Sequence, residues 1–327
     1  MGSVRSLRLT TAAVVVVGAA ALAGCTEDPA RTSGPATASR SAAPESPGTT
    51  AAAPTPAPTA APTATSGRDV GRPRTAAQAA RRLAAAEAAI LDPSTRSKEL
   101  VRAARSQQLT YRELGARPRW DERVLADVPR SLRRTVRDNL ASRREFRAMH
   151  RELSDTLPAW RIVAPAPADE LLRYYHRGER TFGIGWEYLA AINLVETAMG
   201  RIRGTSVAGA QGPMQFLPST WARWGGGGDI QDPRDAIQAA ARYLAHDGGA
   251  RPQRLAAALY RYNNSQHYVR GVTRLARVME RDPRAFYGYY HWDVYYLTSR
   301  GDVRLPVGYE RDRPVPVTTW LAHHPPR

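Results

Sequence analysis

Glu196 stands in the surroundings best suited to proton chemistry. It closes an apolar run, Ile192-Asn193-Leu194-Val195-Glu196, near the C-terminal end of a helical stretch. The negative end of a helix dipole and apolar neighbours both disfavour a carboxylate, so both raise its pKa. A carboxyl group that keeps its proton near neutral pH is what general acid catalysis requires. A solvated glutamate at a helix end carries the same local signature, so Glu196 alone leaves both readings open. Many acid-catalysed bond cleavages use a second carboxylate. The nearest later candidates are Asp229 and Asp232, and Asp232, followed by Pro233, is better explained as a helix cap.

The elements that must position these residues read as helices. Ala168 to Phe182 and Gly185 to Ala198 form two, the second with Trp186, Leu189, Ile192 and Val195 on one side and Gly200 as its end. Another helix starts at Asp232-Pro233, with Asp235 near its positive end, and stops at Gly248-Gly249. Leu255, Ala258, Leu259 and Tyr262 mark one further apolar face; Val269, Val272, Leu275, Ala276 and Met279 mark another. Upstream, Ala80, Leu83, Ala84, Glu87 and Ile90 recur at helical spacing, Pro93 breaks the run, and Ser94 is expected to cap the next helix. An arginine-rich helix follows Pro129. After Pro283 a hairpin is expected, Val294 to Thr298 and Val303 to Val307, turning at Arg300-Gly301-Asp302. The chain is therefore mainly α with a small C-terminal β-hairpin.

Three blocks surround Glu196 in sequence. They are Val195-Glu196-Thr197-Ala198-Met199-Gly200, Ser206-Val207-Ala208-Gly209-Ala210-Gln211-Gly212-Pro213-Met214-Gln215-Phe216, and Arg261-Tyr262-Asn263-Asn264-Ser265-Gln266-His267-Tyr268. In this order they resemble the lysozyme-like lytic transglycosylases, and most of all the membrane-bound lytic transglycosylase B family. The resemblance covers about Gly183 to Met279, under a third of the chain. It implies a lysozyme-like catalytic domain over residues 166–327, preceded by a helical region, 75–165, in which we find no chemistry. It implies cleavage of the β-1,4 bond between N-acetylmuramic acid and N-acetylglucosamine in peptidoglycan, leaving a 1,6-anhydro end. Glu196 would be acid and then base. Ser206 and Gln215 would line the glycan cleft, Tyr262 and Asn263 would stand beside the glutamate, and Met214 and Phe216 would form part of the floor. Trp221, Trp224 and Tyr268 are expected chiefly in core or rim packing, with sugar stacking as the other role.

The chain departs from that family in two places. Nine residues separate Glu196 from Ser206, where the family usually carries a long insertion. Where some relatives carry an acidic, calcium-loop-like segment, this chain has Gly225-Gly226-Gly227-Gly228-Asp229-Ile230-Gln231. One carboxylate is too few for an oxygen cage of six to eight ligands, so neither metal nor cofactor is expected.

The N-terminus reads as an address. Arg5 and Arg8 precede an apolar run from Thr11 to Leu22, too short to span a bilayer comfortably. It ends in Leu22-Ala23-Gly24-Cys25, and Cys25 is the single cysteine of the 327 residues. This resembles the lipobox of bacterial lipoproteins and implies a signal peptide over 1–24 with a lipid on Cys25. The Pro, Ala, Thr and Ser tract within residues 25–74 has little to bury and reads as a tether. An exported, membrane-anchored monomer facing the wall or periplasm is expected, with peptidoglycan strands as its partner. The net charge of +17 suits anionic partners but equally reflects an arginine-rich composition, and no nucleic-acid motif accompanies it. A muramidase that uses Asp229 to place water, and a non-catalytic wall-binding lipoprotein, are the competing readings.

Overall fold

The computed structural model describes residues 71–150 and 152–325. The expected signal segment, Cys25 and all of the tether before residue 71 lie outside them. The first four helices are α1 (Ala76–Leu91), α2 (Ser97–Gly115), α3 (Asp121–Asp127) and α4 (Arg133–Ala148). Thr75 caps α1 by accepting from the Gln78 N–H, and Ala79, Ala80, Leu83, Ala86 and Ile90 face inward onto neighbouring helices. Ser94 does not cap α2. Its N–H and hydroxyl both donate to Asp92, and the helix starts three residues later, after Arg96. An aspartate that ties back its own turn competes with the expected cap.

The site is carried by α5 (Ala168–Phe182), α6 (Trp186–Thr197), α7 (Pro218–Trp224), α8 (Pro233–His246), α9 (Pro252–Tyr262), α10 (Gln266–Arg281) and α11 (Ala285–Tyr290). Helix α6 is buried all round from Leu189 to Thr197, as an apolar helix must be. It packs on α5, α8 and α10. Helix α10 also lies along α4, so one helix joins the upstream bundle to the helix that bears Glu196. The approach of α4 and α10 is close because position 271 is glycine. The Ser142 hydroxyl donates to the Gly271 carbonyl at 3.0 Å, and the Phe146 ring fills the space a side chain would take.

Three two-stranded antiparallel sheets complete the fold: β1 (Thr156–Leu157) with β6 (Val315–Pro316), β2 (Arg161–Ile162) with β3 (Ile202–Arg203), and β4 (Val294–Thr298) with β5 (Gly301–Leu305). The chain ends with α12 (Val317–His323). Leu157, Trp160, Ile162, Tyr296, Leu305, Tyr309 and Trp320 form a second core around these sheets. The predicted hairpin is present, but its turn is tighter than expected. Thr298 pairs with Gly301, so Gly301 and Asp302 belong to the second strand. Asp302 is drawn inward by an ion pair with Arg112 of α2, which the sequence pattern did not contain.

A Cβ at position 271 would lie 2.6 Å from the Phe146 ring. Gly271→Val should therefore cost about 2 kcal/mol through overpacking and lower the melting temperature by roughly 4–8 °C in thermal denaturation followed by circular dichroism. An unchanged melting temperature would mean that the two helices are free to move apart.

Candidate active site around Glu196

Glu196 lies in the last turn of α6 and is only 3% exposed. Burial pushes its pKa up to about 8, opposed by a hydrogen bond from the Tyr268 hydroxyl. That hydroxyl, on α10, donates to Glu196 Oε1 at 2.8 Å. Oε2 is buried with no hydrogen-bond partner among the described residues. No other charged group contributes to the shift. Asp229 is exposed and accepts from the Gln231 N–H, and Asp232 caps α8 by accepting from the Asp235 N–H at 3.0 Å, as expected.

The backbone leaves α6 abruptly just beyond Glu196. Ala198 and Met199 take left-handed φ values of 52° and 64° before Gly200 at 80°. The helix thus ends at Thr197, one residue short of the expected Ala198, and the backbone turns left-handed two positions before Gly200. The Ala198 N–H donates to Leu194 O, and the Met199 N–H reaches back six residues to Asn193 O, so the turn that leaves the helix satisfies two of its last carbonyls. Left-handed alanine and methionine store strain; here the chain turns at once into the loop that covers the site.

Two polar side chains of the apolar helix hold that loop. Asn193 Nδ2 and the Thr197 hydroxyl, one turn apart, both donate to the Pro213 carbonyl, at 2.8 and 2.6 Å. Tyr175 of α5 fixes the Asn193 amide by donating to its Oδ1. Pro213 lies in a tight turn from Gly212 to Gln215, closed by backbone bonds between Gln211 and Phe216. At Gly212, with φ of 73°, a Cβ would stand 1.9 Å from the Ile230 carbonyl, so only glycine fits. The Tyr262 hydroxyl at the end of α9 donates to the Met214 carbonyl at 2.7 Å.

The expected residues are thus partly assembled. Met214 and Phe216 are buried, and the Phe216 ring contacts Trp221 and Tyr262 edge-on. Asn263 is buried with neither amide atom satisfied, which in a protein interior points to an absent polar partner. Gln215 is half-buried in a left-handed conformation, its amide donating to Gly212 O. Ser206 is not brought to Glu196 by any contact. Its hydroxyl accepts from the Ala210 N–H within its own loop. Tyr268 was expected chiefly in packing; it is buried, but its hydroxyl is the direct partner of the carboxyl. Asn193 and Thr197 carried a signal in the sequence, as polar residues four apart in an otherwise apolar helix. The acceptor they share could not be read there. From Tyr268 a row of rings runs outward through Tyr262, Tyr243 and Trp224, with successive centroids 6.5, 5.7 and 5.8 Å apart.

Residues 173–282, which hold every residue of this site, match the family described as Transglycosylase SLT domain. This part of the chain is a transglycosylase SLT domain. The lysozyme-like, mainly α fold expected from the three blocks agrees with that assignment. A 128-residue stretch is 31% identical to the membrane-bound lytic murein transglycosylase F of Thiobacillus denitrificans (strain ATCC 25259 / T1), covering 37% of this chain and 27% of that relative. The chain thus spans about a quarter of the length of the curated relative it matches, which carries the F designation and not the B of the expected family. No solved structure matches the chain.

A buried carboxyl with a raised pKa makes native stability depend on pH. The unfolded chain releases this proton near pH 4.5 and the SLT domain near 8. The contribution of Glu196 is therefore full below about 4.5 and is lost progressively as pH rises to about 8. Glu196→Gln cannot ionise. It should melt close to wild type at pH 4.5 and be the more stable protein at pH 9, by a margin on the order of a few kcal/mol. Melting curves at the two pH values check this, and a constant difference would refute the raised pKa.

Proposed function

We propose that this chain is a peptidoglycan lytic transglycosylase. The observation that carries the reading is the buried carboxyl of Glu196, its pKa pushed up by burial, with one oxygen held by Tyr268 and the other without a hydrogen-bond partner among the described residues. Glu196 Oε2 gives its proton to the glycosidic oxygen, and the bond from C1 of N-acetylmuramic acid to that oxygen breaks. N-acetylglucosamine leaves with a new 4-hydroxyl. The resulting carboxylate is stabilised by the Tyr268 hydrogen bond. It then takes the proton of the C6 hydroxyl on the same muramic ring, whose oxygen closes on C1 to give the 1,6-anhydro product. Attack from within the ring gains its advantage from proximity and needs no second carboxylate. That requirement fits the isolation of Glu196 and disfavours a water positioned by the exposed Asp229.

The unsatisfied amide of Asn263 suits a sugar hydroxyl or acetamido group, and we assign Gln215 and Ser206 to the binding of neighbouring sugars, although no contact joins Ser206 to Glu196. Tyr262 fixes the Met214 carbonyl, and with Phe216 supplies an apolar floor. Among the described residues no helix is long and apolar enough to cross a membrane. We place the attachment at Cys25, as a lipid anchor beyond a signal peptide over 1–24, on an exported monomer facing the wall or periplasm. Cys25→Ser should then move the protein from the membrane to the soluble fraction; retention of the variant in the membrane would reject the anchor.

The full chain and its Glu196→Gln variant should be incubated with purified peptidoglycan and the products weighed by mass spectrometry. Muropeptides lighter by one water are expected, with a loss of about 10²–10⁴-fold in the variant. Ordinary reducing ends would make the enzyme a hydrolase; binding without products would make it a wall-binding protein. Activity should fall as pH rises through about 8, where Glu196 loses its proton. Tyr268→Phe removes a bond that favours the carboxylate, so its alkaline limb should move upward.

A further inference from the structure

Beside the outer end of the ring row lies an open cavity of about 290 Å³. Three arginines line it, Arg177 of α5 with Arg234 and Arg242 of α8, together with Asp235, Gln238 and the backbone of Gly225, Gly226 and Gly228. Arg242 donates to the Trp224 carbonyl and Arg234 pairs with Asp235 at 3.0 Å. Arg177 is exposed and has no hydrogen-bond or ion-pair partner among the described residues. Three guanidinium groups against Asp235, with Asp232 also 3.9 Å from Arg234, leave the wall of the cavity net positive.

The glycine loop adds donors. Gly225 is right-handed, with φ −65° and ψ −26°, and Gly226 and Gly227 are left-handed, with φ of 63° and 80°. This right-then-left order turns successive N–H groups toward one side, as in the anion-binding concavities called nests. The Gly225 N–H is used by Trp221 O, whereas those of Gly226 and Gly227 have no partner among the described residues. Space beside two of these glycines is taken by side-chain ends. A Cβ on Gly226 would lie 2.9 Å from the Arg242 guanidinium, and one on Gly228 would lie 2.7 Å from the Asp235 carboxylate.

We propose that this cavity is a binding subsite for the carboxylate of a peptide stem carried by the glycan strand. The proposal rests on the peptidoglycan reading above and extends it to the part of the substrate that is not sugar. Arginine forks match a carboxylate in shape and charge. The cavity also presents acceptors, the Asp235 carboxylate and the Gln238 oxygen, whose amide nitrogen is already given to Tyr174 O. A bare phosphate would use only the donors; a peptide end offers a carboxylate together with N–H or ammonium groups. The rings of Trp224, Tyr243, Tyr262 and Tyr268 run from this loop to Glu196. A group bound here can therefore belong to the same polymer that reaches the carboxyl.

Full-length protein, wild type and Arg177→Ala, should be titrated by calorimetry with a soluble acidic stem peptide, its C-terminal amide, and inorganic phosphate. The expected result is binding of the acidic peptide, with affinity weaker by roughly tenfold or more both for the amide and for the Arg177→Ala protein. Glu196→Gln should bind like wild type. Equal affinity of acid and amide, no effect of Arg177→Ala, or binding of phosphate but not peptide would each overturn the proposal. Gly226→Ala, which crowds Arg242, provides a second variant that should weaken binding in the same direction. Turnover of glycan strands stripped of their stems separates this claim from the enzymatic one. Wild type and Arg177→Ala should cleave stripped strands equally well, and that cleavage would persist if the subsite were wrong. Loss of cleavage by wild type on every wall substrate would instead remove the reading on which the subsite rests.

Discussion

A carboxyl group buried with no counter-charge can stay in a protein interior only by keeping its proton, and much of this molecule is arranged around that condition at Glu196. Helix α6 is buried from Leu189 to Thr197, so the carboxyl at its end is shielded from solvent. The one polar group given to it is a neutral hydroxyl, from Tyr268, whose own ionisation is pushed well above the usual tyrosine range by burial and by the neighbouring glutamate. A lysine or arginine in that place would hold the site as a carboxylate. A phenol steadies one oxygen and still lets the proton remain.

The demand for enclosure explains the architecture outward from α6. Helix α10 supplies Tyr268 to Glu196 and receives Phe146 and Ser142 of α4, so the upstream bundle packs against the helix that holds the carboxyl. The Gly212–Gln215 turn covers the front. Because Asn193 and Thr197 share one carbonyl of that turn, the position of the loop is fixed by the helix that carries the acid. A shift of the loop would leave two buried donors unsatisfied, which is costly. Tyr262 adds a third tie, from α9 to Met214. Three separate segments, α6, the Gly212–Gln215 turn and α9, are thereby tied to one another.

The surface follows a different logic. Several arginines are spent on ion pairs: Arg274 and Arg281 on Asp138, and Arg270, together with His267, on Glu145. Pairs whose arginine is still partly in solvent stabilise little. What distinguishes the glycine loop from the rest of this basic surface is concavity: cationic side chains and free backbone N–H groups converge on one space instead of radiating into solvent.

The sequence by itself determined the helices, because their signals are local. Apolar spacing, Asp232 before Pro233 and the glycines after α8 set boundaries that the structure reproduces within a residue or two, and α5 matches residue for residue. It also singled out Glu196 as the candidate acid, since helix-end placement and apolar neighbours are properties of a short stretch, and it brought Met214, Phe216, Tyr262 and Asn263 into consideration through their motif. Tertiary structure alone decided what each of these does. That Tyr268 donates to Glu196, that Asn193 and Thr197 meet at Pro213, that Ser206 turns its hydroxyl to its own loop and that Asp302 is pulled out of the turn all depend on pairs far apart in the chain. No periodicity encodes such pairs, because hydrogen-bond geometry at a distance arises only once the intervening helices have packed.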